Sequence, residues 1–373
     1  MKHVDVLVRG AGIVGQSLAL SLARLGLQVG LCAAPPRSDA TPDVRAYALN
    51  AASVALLRSL KVWDSLPAQA ATPVYDMHVQ GDAEGAAIDF SAWEQKVGEL
   101  AWIVDAPVLE RALGAAVRFS PHIHALTPAA ADRVQAELTA LCEGKESASR
   151  ARLGVDFERH DYGHSAIAAR LLAARPHGGT ARQWFRSPDV LALLPFDSPQ
   201  PSCSYALVWS MPRERARELM ALDDSAFAAA LMEASRGEAG ELTLASPRAE
   251  WPLAIAEASA WSGPGWVLLG DAAHVVHPLA GQGLNLGLAD VIALTRVIGA
   301  REPWRPLGDE RLLRRYARER TLPTWAMAQV TDGLLQLFAQ PAPAVRELRN
   351  RGLSLVNQLT PLKRWLTARA LDA

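Results

Sequence analysis

Six residues, Gly10-Ala11-Gly12-Ile13-Val14-Gly15, constrain this chain more than any other feature, because of what flanks them. Residues 4–8 before them are a short β-branched run, read as a buried strand. Residues 14–25 after them carry apolar side chains at helical spacing and stop at Gly26, which suits a helix C-terminus. Residues 29–32 then read as a second strand. Strand, helix and strand within about 30 residues make a βαβ unit and therefore a parallel sheet. In such a unit Gly10 permits the tight turn, Gly12 lets a pyrophosphate approach the backbone, and Gly15 lets helix and strand pack closely. The N–H groups opening the helix attract the phosphates. The motif points to a dinucleotide without separating FAD from NAD. The usual carboxylate for the adenosine ribose is missing near Ala33, and Asp39 comes later in a loop.

The remaining chain is long enough for two or three domains at 373 residues. A formal net charge of −1 excludes a broad basic field, so nucleic acid is not an expected partner. Cys32, Cys142 and Cys203 are odd in number and far apart, which argues against a disulfide framework or zinc and for a reducing compartment. Asp5 interrupts what would be a signal peptide's apolar stretch, and Arg24 breaks the first apolar run well short of the roughly 18 residues of a membrane span. The expectation is a cytoplasmic protein with at most peripheral membrane contact.

Along the chain, 53–60, 108–117, 223–234 and 284–298 read as helices, and 266–269 as a buried strand. The Ala-rich stretch 127–140 is ambiguous. Short runs at 167–172, 190–194 and 205–209, broken by Pro, Gly and Ser, read as strands of an antiparallel sheet. Segments 312–327 and 345–371 are amphipathic helices beyond linkers at Pro303–Pro306 and Pro341–Pro343. The expected class is α/β: a Rossmann-like domain with a parallel sheet that binds the dinucleotide (FAD, on the motif that follows), an antiparallel-sheet substrate domain, and C-terminal helices. The expected division is 1–75, 125–158 and 256–305 for the first, 76–124 and 159–255 for the second, and 306–373 for the third.

A second motif decides between cofactors. It reads Gly270-Asp271-Ala272-Ala273-His274, then Pro278, then Gly281-Gln282-Gly283-Leu284-Asn285-Leu286-Gly287. A strand delivers Asp271 to a loop, where its oxygens can accept hydrogen bonds from a sugar-alcohol chain such as ribityl. The glycines admit a flat ring near the backbone. The helix starting near Leu284 aims its N-terminal N–H groups at that ring and stabilises negative charge on it. His274 and His277, three apart, lack a carboxylate or thiol to complete a metal set, so no metal is expected.

These residues resemble the second FAD fingerprint of flavin monooxygenases related to para-hydroxybenzoate hydroxylase. The string 277–288 is similar to the form used by the ubiquinone-biosynthesis branch, as are Asp43-Val44-Arg45-Ala46-Tyr47-Ala48-Leu49-Asn50 and two C-terminal strings, 314–320 and 348–353. The resemblance spans nearly the whole chain. It implies that Arg45 lies near the flavin and the entry path of the nicotinamide donor, and that His277 and Pro278 line the reaction cavity. It also implies that 142–150 (Cys142, Glu143, Gly144 through Ser147 to Arg150) bridges flavin and donor, with Glu143 where relatives carry Asp. His160 opens a stretch resembling the entry to the substrate domain, and Trp184 and Trp209 are candidates to face an apolar substrate.

The activity so implied is FAD-dependent hydroxylation of a phenolic ring, with NAD(P)H as electron donor and O₂ as co-substrate. The substrate is a polyprenylated phenol or quinol precursor of ubiquinone, and other quinone-biosynthesis proteins are candidate partners. Two other readings stay open at this point. Ala33 and Glu143 would also suit a flavin-fold accessory subunit with little catalysis. The first glycine motif alone would suit a nicotinamide-dependent dehydrogenase.

Overall fold

The computed structural model describes residues 3–33, 43–81, 86–276 and 282–339. The glycine turn sits where the sequence places it, between β1 (His3–Arg9) and α1 (Ile13–Arg24), with β2 (Val29–Cys32) following. β1 is central because neither of its faces is wet: Val6 and Val8 are fully buried in one core cluster, and Leu7, on the opposite face, is buried in another. It pairs in parallel with β2 and with strand Gln135–Leu141. Strands Ile123–Leu126 and Trp266–Leu268 extend the parallel sheet on either side, and Ser262–Gly263 adds an antiparallel edge. Leu18 and Leu22 of α1, Leu109 and Leu113 of helix Ala106–Arg118, and Leu288, Val291 and Leu294 of helix Gln282–Gly299 fill one core against this sheet.

Of the stretch 76–124 assigned above to the substrate domain, strands Asp76–Gln80 and Ala87–Ser91 do join the second sheet. Helix Ala106–Arg118 instead packs in the core of the parallel sheet, and Ile123 opens one of its strands. The apolar face of that helix fits any sheet, and nothing local says which. The ambiguous 127–140 resolves into a short helix, Pro128–Ala131, and strand Gln135–Leu141.

The second sheet runs in the order 274–275, 249–258, 157–173, 204–212, 189–196, 180–186, 76–80, 87–91. It is antiparallel except where Thr180–Arg186 meets Asp76–Gln80. The expected strand 167–172 is only the inner part of Phe157–Ala173, whose polar outer half pairs with Ala249–Ala258. Side-chain alternation divides this sheet into two faces. Ile167, Ala169, Trp184, Leu207 and Trp209 pack under helices Arg213–Ala221 and Asp224–Ala234, through Leu219, Phe227 and Leu231. The opposite face carries Ala166, Ala168, Arg170, Ala206, Val208 and Ser210. Trp184 and Trp209, 1% and 0% exposed, therefore lie on the helix-covered face and do not face a substrate. Period-two patterning marks a face as buried but cannot say what covers it.

A three-stranded antiparallel sheet, Ala46–Leu49, Ala101–Asp105 and Ala71–Val74, joins the two parts. Its Val74, Ala101 and Ile103 pack against Ala181 and Phe196 of the second sheet. Helix Glu310–Ala339 crosses the parallel-sheet side, with Leu312, Leu313 and Tyr316 buried. The expected helix 345–371 lies outside the described residues. Among the described residues no helix is long and apolar enough to cross a membrane.

Candidate functional site

Gly10 has φ +102°, and a Cβ there would stand 2.1 Å from the Cys142 carbonyl oxygen. At Gly15 a Cβ would meet the Gly10 carbonyl oxygen at 1.8 Å. These two glycines are required by packing. Gly12 differs: it caps α1 in ordinary extended backbone, and among the described residues no side chain satisfies the cap and a Cβ there would meet nothing within 4 Å. The free N–H groups at the start of α1 thus face open space, which is what a pyrophosphate needs.

The second turn is built just beyond strand Trp266–Leu268. Gly270 adopts φ +58°, and its N–H donates to Asp290 Oδ2 at 2.9 Å. Asp290 is fully buried on helix Gln282–Gly299. It also accepts from His274 Nε2 at 2.7 Å and from Arg320 Nε at 2.8 Å. Burial pushes this carboxyl up, but His274 and Arg320 outweigh burial and hold it below its ordinary range. An ionised carboxylate only accepts, so His274 Nε2 carries the proton. On the other side Arg150 Nη1 donates to the Ala272 carbonyl at 2.9 Å, with its guanidinium 3.5 Å over the Phe157 ring. Asp271 is therefore presented by a turn fixed at both neighbours. Its own carboxylate opens to solvent, yet protein rings it, and the loss of bulk water raises its pKa. The electrostatic influence of His274, Lys145 and Arg45 opposes that shift without cancelling it.

Arg45 lies within electrostatic reach of Asp271. Its guanidinium is tied to Asp43 at 2.8 and 2.7 Å and lies 5.8 Å from the Tyr47 ring centre. Burial raises the Tyr47 pKa, which keeps the phenol protonated and able to donate. The Arg45 carbonyl accepts from Arg170 Nη2 at 2.8 Å, linking this corner to the second sheet.

Glu143 is engaged locally. Its carboxylate accepts from Ser147 Oγ at 2.6 Å, Ser149 Oγ at 2.8 Å and Ser149 N at 3.0 Å. The extra methylene relative to Asp is absorbed by folding the side chain back onto its own loop. His160 lies on the exposed outer half of its strand, edge-on to Tyr162.

Among the described residues nothing lies within 4 Å of a methyl group added at the Gly283 Cα, the room that a ring beside the backbone requires. Leu284 is buried in the parallel-sheet core. Asn285 spends its side chain on the protein: Nδ2 donates to Ala48 O at 2.8 Å, and Oδ1 accepts from Asn50 N at 3.1 Å and Ser53 Oγ at 2.8 Å. Both residues can therefore reach a flavin only through their backbone. Gln282 starts the helix, while His277, Pro278 and Gly281 lie outside the described residues.

Sequence reasoning assigns no role of their own to Asp290 and Arg320, and it places Arg150 in the string that bridges flavin and donor, not as a clamp on the second turn. The sequence does hold a signal for Asp290, an acid inside the apolar run Leu286–Leu294. Its partners come from distant elements. The fit to FAD is good: an uncapped helix N-terminus, open space at Gly12 and Gly283, and an acceptor at Asp271 lie around one region.

A family model described as FAD binding domain matches residues 3–331. The 3-demethoxyubiquinol 3-hydroxylase of Escherichia coli (strain K12) is 30% identical, over 98% of both chains. A ubiquinone hydroxylase of Rhodospirillum rubrum is 28% identical over 99% of this chain and 90% of its own. Among solved structures, p-nitrophenol 4-monooxygenase from Pseudomonas putida superposes with a TM-score of 0.77 over 99% of this chain and 98% of its own, at 16% identity.

Proposed function

The chain belongs to the FAD binding domain family and is an FAD-dependent monooxygenase; we propose that it hydroxylates a polyprenylated phenol or quinol precursor in ubiquinone biosynthesis. NAD(P)H is the electron donor and O₂ the oxygen source in this reading. The observation that carries it is the meeting of two surfaces. The Arg45–Asp271 corner, where a flavin is held, is tied through Arg170 to the sheet face bearing Ala166, Ala168, Ala206 and Val208. Small apolar side chains suit a greasy ring, with Arg170 and Ser210 as polar groups on the same face.

Bound FAD supplies the redox chemistry and the activation of O₂. The protein's share is positioning. The α1 N-terminus holds the pyrophosphate, and Asp271 accepts from the ribityl hydroxyls. The backbone from Gly283 places the ring, and the sheet face excludes water, which would waste reducing power as peroxide. No side-chain base is assigned. A substrate this apolar also calls for peripheral contact with a membrane.

The purified protein with FAD should consume NAD(P)H and O₂ in a phenol-dependent way and yield a product with one added oxygen atom. A strain lacking the protein should accumulate a precursor short of one hydroxyl, relieved by the wild-type chain and not by Gly12→Trp. Equal relief by both would sink the catalytic reading.

A further inference from the structure

The last described helix has a buried inner face and an outer face of unusual make-up. Its inner face carries Leu312, Leu313, Tyr316 and Arg320, all buried. The outer positions 311, 315, 318, 322 and 325 recur at steps of four and three, so they form one stripe, with 314 beside it. They are Arg311, Arg315, Arg318, Leu322 and Trp325, and all are exposed. Leu322 is 68% exposed and Trp325 51%. Arg314 and Arg315 have acidic partners, Glu310 at 2.5 Å and Glu302 at 2.8 Å. Among the described residues Arg311 and Arg318 have no acid within ion-pair distance. A chain of net charge −1 thus gathers cations on one helix face and places a large apolar pair at the end of that row.

We propose that this face docks on an anionic lipid surface, with the arginines on headgroups and Leu322 and Trp325 at the acyl boundary. Charge complementarity selects the occupant. Arginine near anionic lipid gains from the surface potential, and Trp favours the interface. The chain's own residues 340–373 hold six Lys or Arg against two Asp or Glu. Like charge disfavours that segment as a cover for the stripe. The same helix reaches the flavin turn from its inner face: Tyr316 donates to the Leu268 carbonyl at 2.8 Å and Arg320 to Asp290. A lipid-seated helix therefore holds the site rigidly next to the phase in which an apolar substrate dissolves. The purpose rests on the proposed function, while the docking itself needs no substrate.

The test is flotation of the FAD-loaded full chain with vesicles of phosphatidylcholine, with or without phosphatidylglycerol, run without substrate. Wild type should float only with phosphatidylglycerol and less at high salt. Arg311→Glu with Arg318→Glu should weaken binding by about tenfold or more. Leu322→Asp with Trp325→Ser should weaken it as well, and both variants should keep their FAD and thermal midpoint. Wild type that fails to float, that floats equally on neutral vesicles, or that is matched by both variants overturns the proposal. A dimer broken by these variants, without vesicle binding, would assign the face to a second copy instead. Failure of the hydroxylase reading would appear separately, as missing phenol-dependent O₂ consumption with vesicle binding intact.

Discussion

At the residue scale the three glycines of the first turn divide into two kinds. Gly10 and Gly15 are held against backbone oxygens at distances no Cβ tolerates, whereas Gly12 borders open space. Gly15→Ala should therefore cost folding itself, seen as loss of soluble protein or a sharp drop in thermal midpoint. Gly12→Ala should fold like the wild type and lose FAD affinity about tenfold or more, because the methyl occupies the phosphates' approach. Flavin-fluorescence titration beside thermal unfolding separates the two. Asp271 makes a second prediction. Replacing it with Ala should cost about 1.5–3 kcal/mol of FAD binding, the range for hydrogen bonds to a charged group, or about 10- to 100-fold in affinity. Its folded pKa is raised by burial, so the ionised form works against folding above that pKa, and the cost fades as pH falls through it. Asp271→Asn should thus stabilise the flavin-free protein slightly at neutral and alkaline pH, with the gain vanishing towards acid. Thermal midpoints of both proteins across pH check the sign.

At the scale of elements, the Asp290 carboxylate joins the flavin turn, helix Gln282–Gly299 and helix Glu310–Ala339. Arg320→Met leaves the buried carboxylate with hydrogen bonds from His274 and the Gly270 N–H but no guanidinium, and removing one member of a buried pair costs about 3–5 kcal/mol. Because Asp290 has a lowered pKa, its contribution is present above the unfolded carboxyl pKa and lost as pH falls through the folded one. Without Arg320 that folded value rises, so the acid-unfolding midpoint of the variant should move to higher pH, with Arg320→Lys recovering part of the shift. An unchanged midpoint would show that Arg320 does not hold this charge. Asn285 works in the same way between helices: it ties helix Gln282–Gly299 to the start of helix Ala51–Ser59 through Asn50 and Ser53. A residue chosen from the sequence for flavin contact thus does its side-chain work inside the protein.

Across the whole molecule, the proposed FAD site is assembled from turns of distant segments, so FAD binding and the stability of the assembly are linked. Free FAD at a hundred times its dissociation constant should add about 2.7 kcal/mol to unfolding, read by calorimetry, and Gly12→Ala should lose most of that gain at the same FAD concentration. Local patterns were enough to read the βαβ unit, both glycine motifs and the inner strands at 190–194 and 205–209. Each of these depends on backbone conformation, side-chain period or turn chemistry carried by neighbouring residues. Other features depend on which surfaces meet: helix Ala106–Arg118 in the parallel-sheet core, Trp184 and Trp209 on the covered face, and Asp290 joined to His274 and Arg320. Apolar faces are interchangeable in sequence, and a buried charge is intelligible only beside partners that lie up to 30 positions away, as Arg320 does from Asp290. The order of residues along the chain was thus sufficient to establish a dinucleotide turn and a flavin-type acid loop. What holds Asp271 still, and which face of the second sheet its helices cover, emerged only once the chain was packed, because burial and electrostatic pairing are properties of contacts in space.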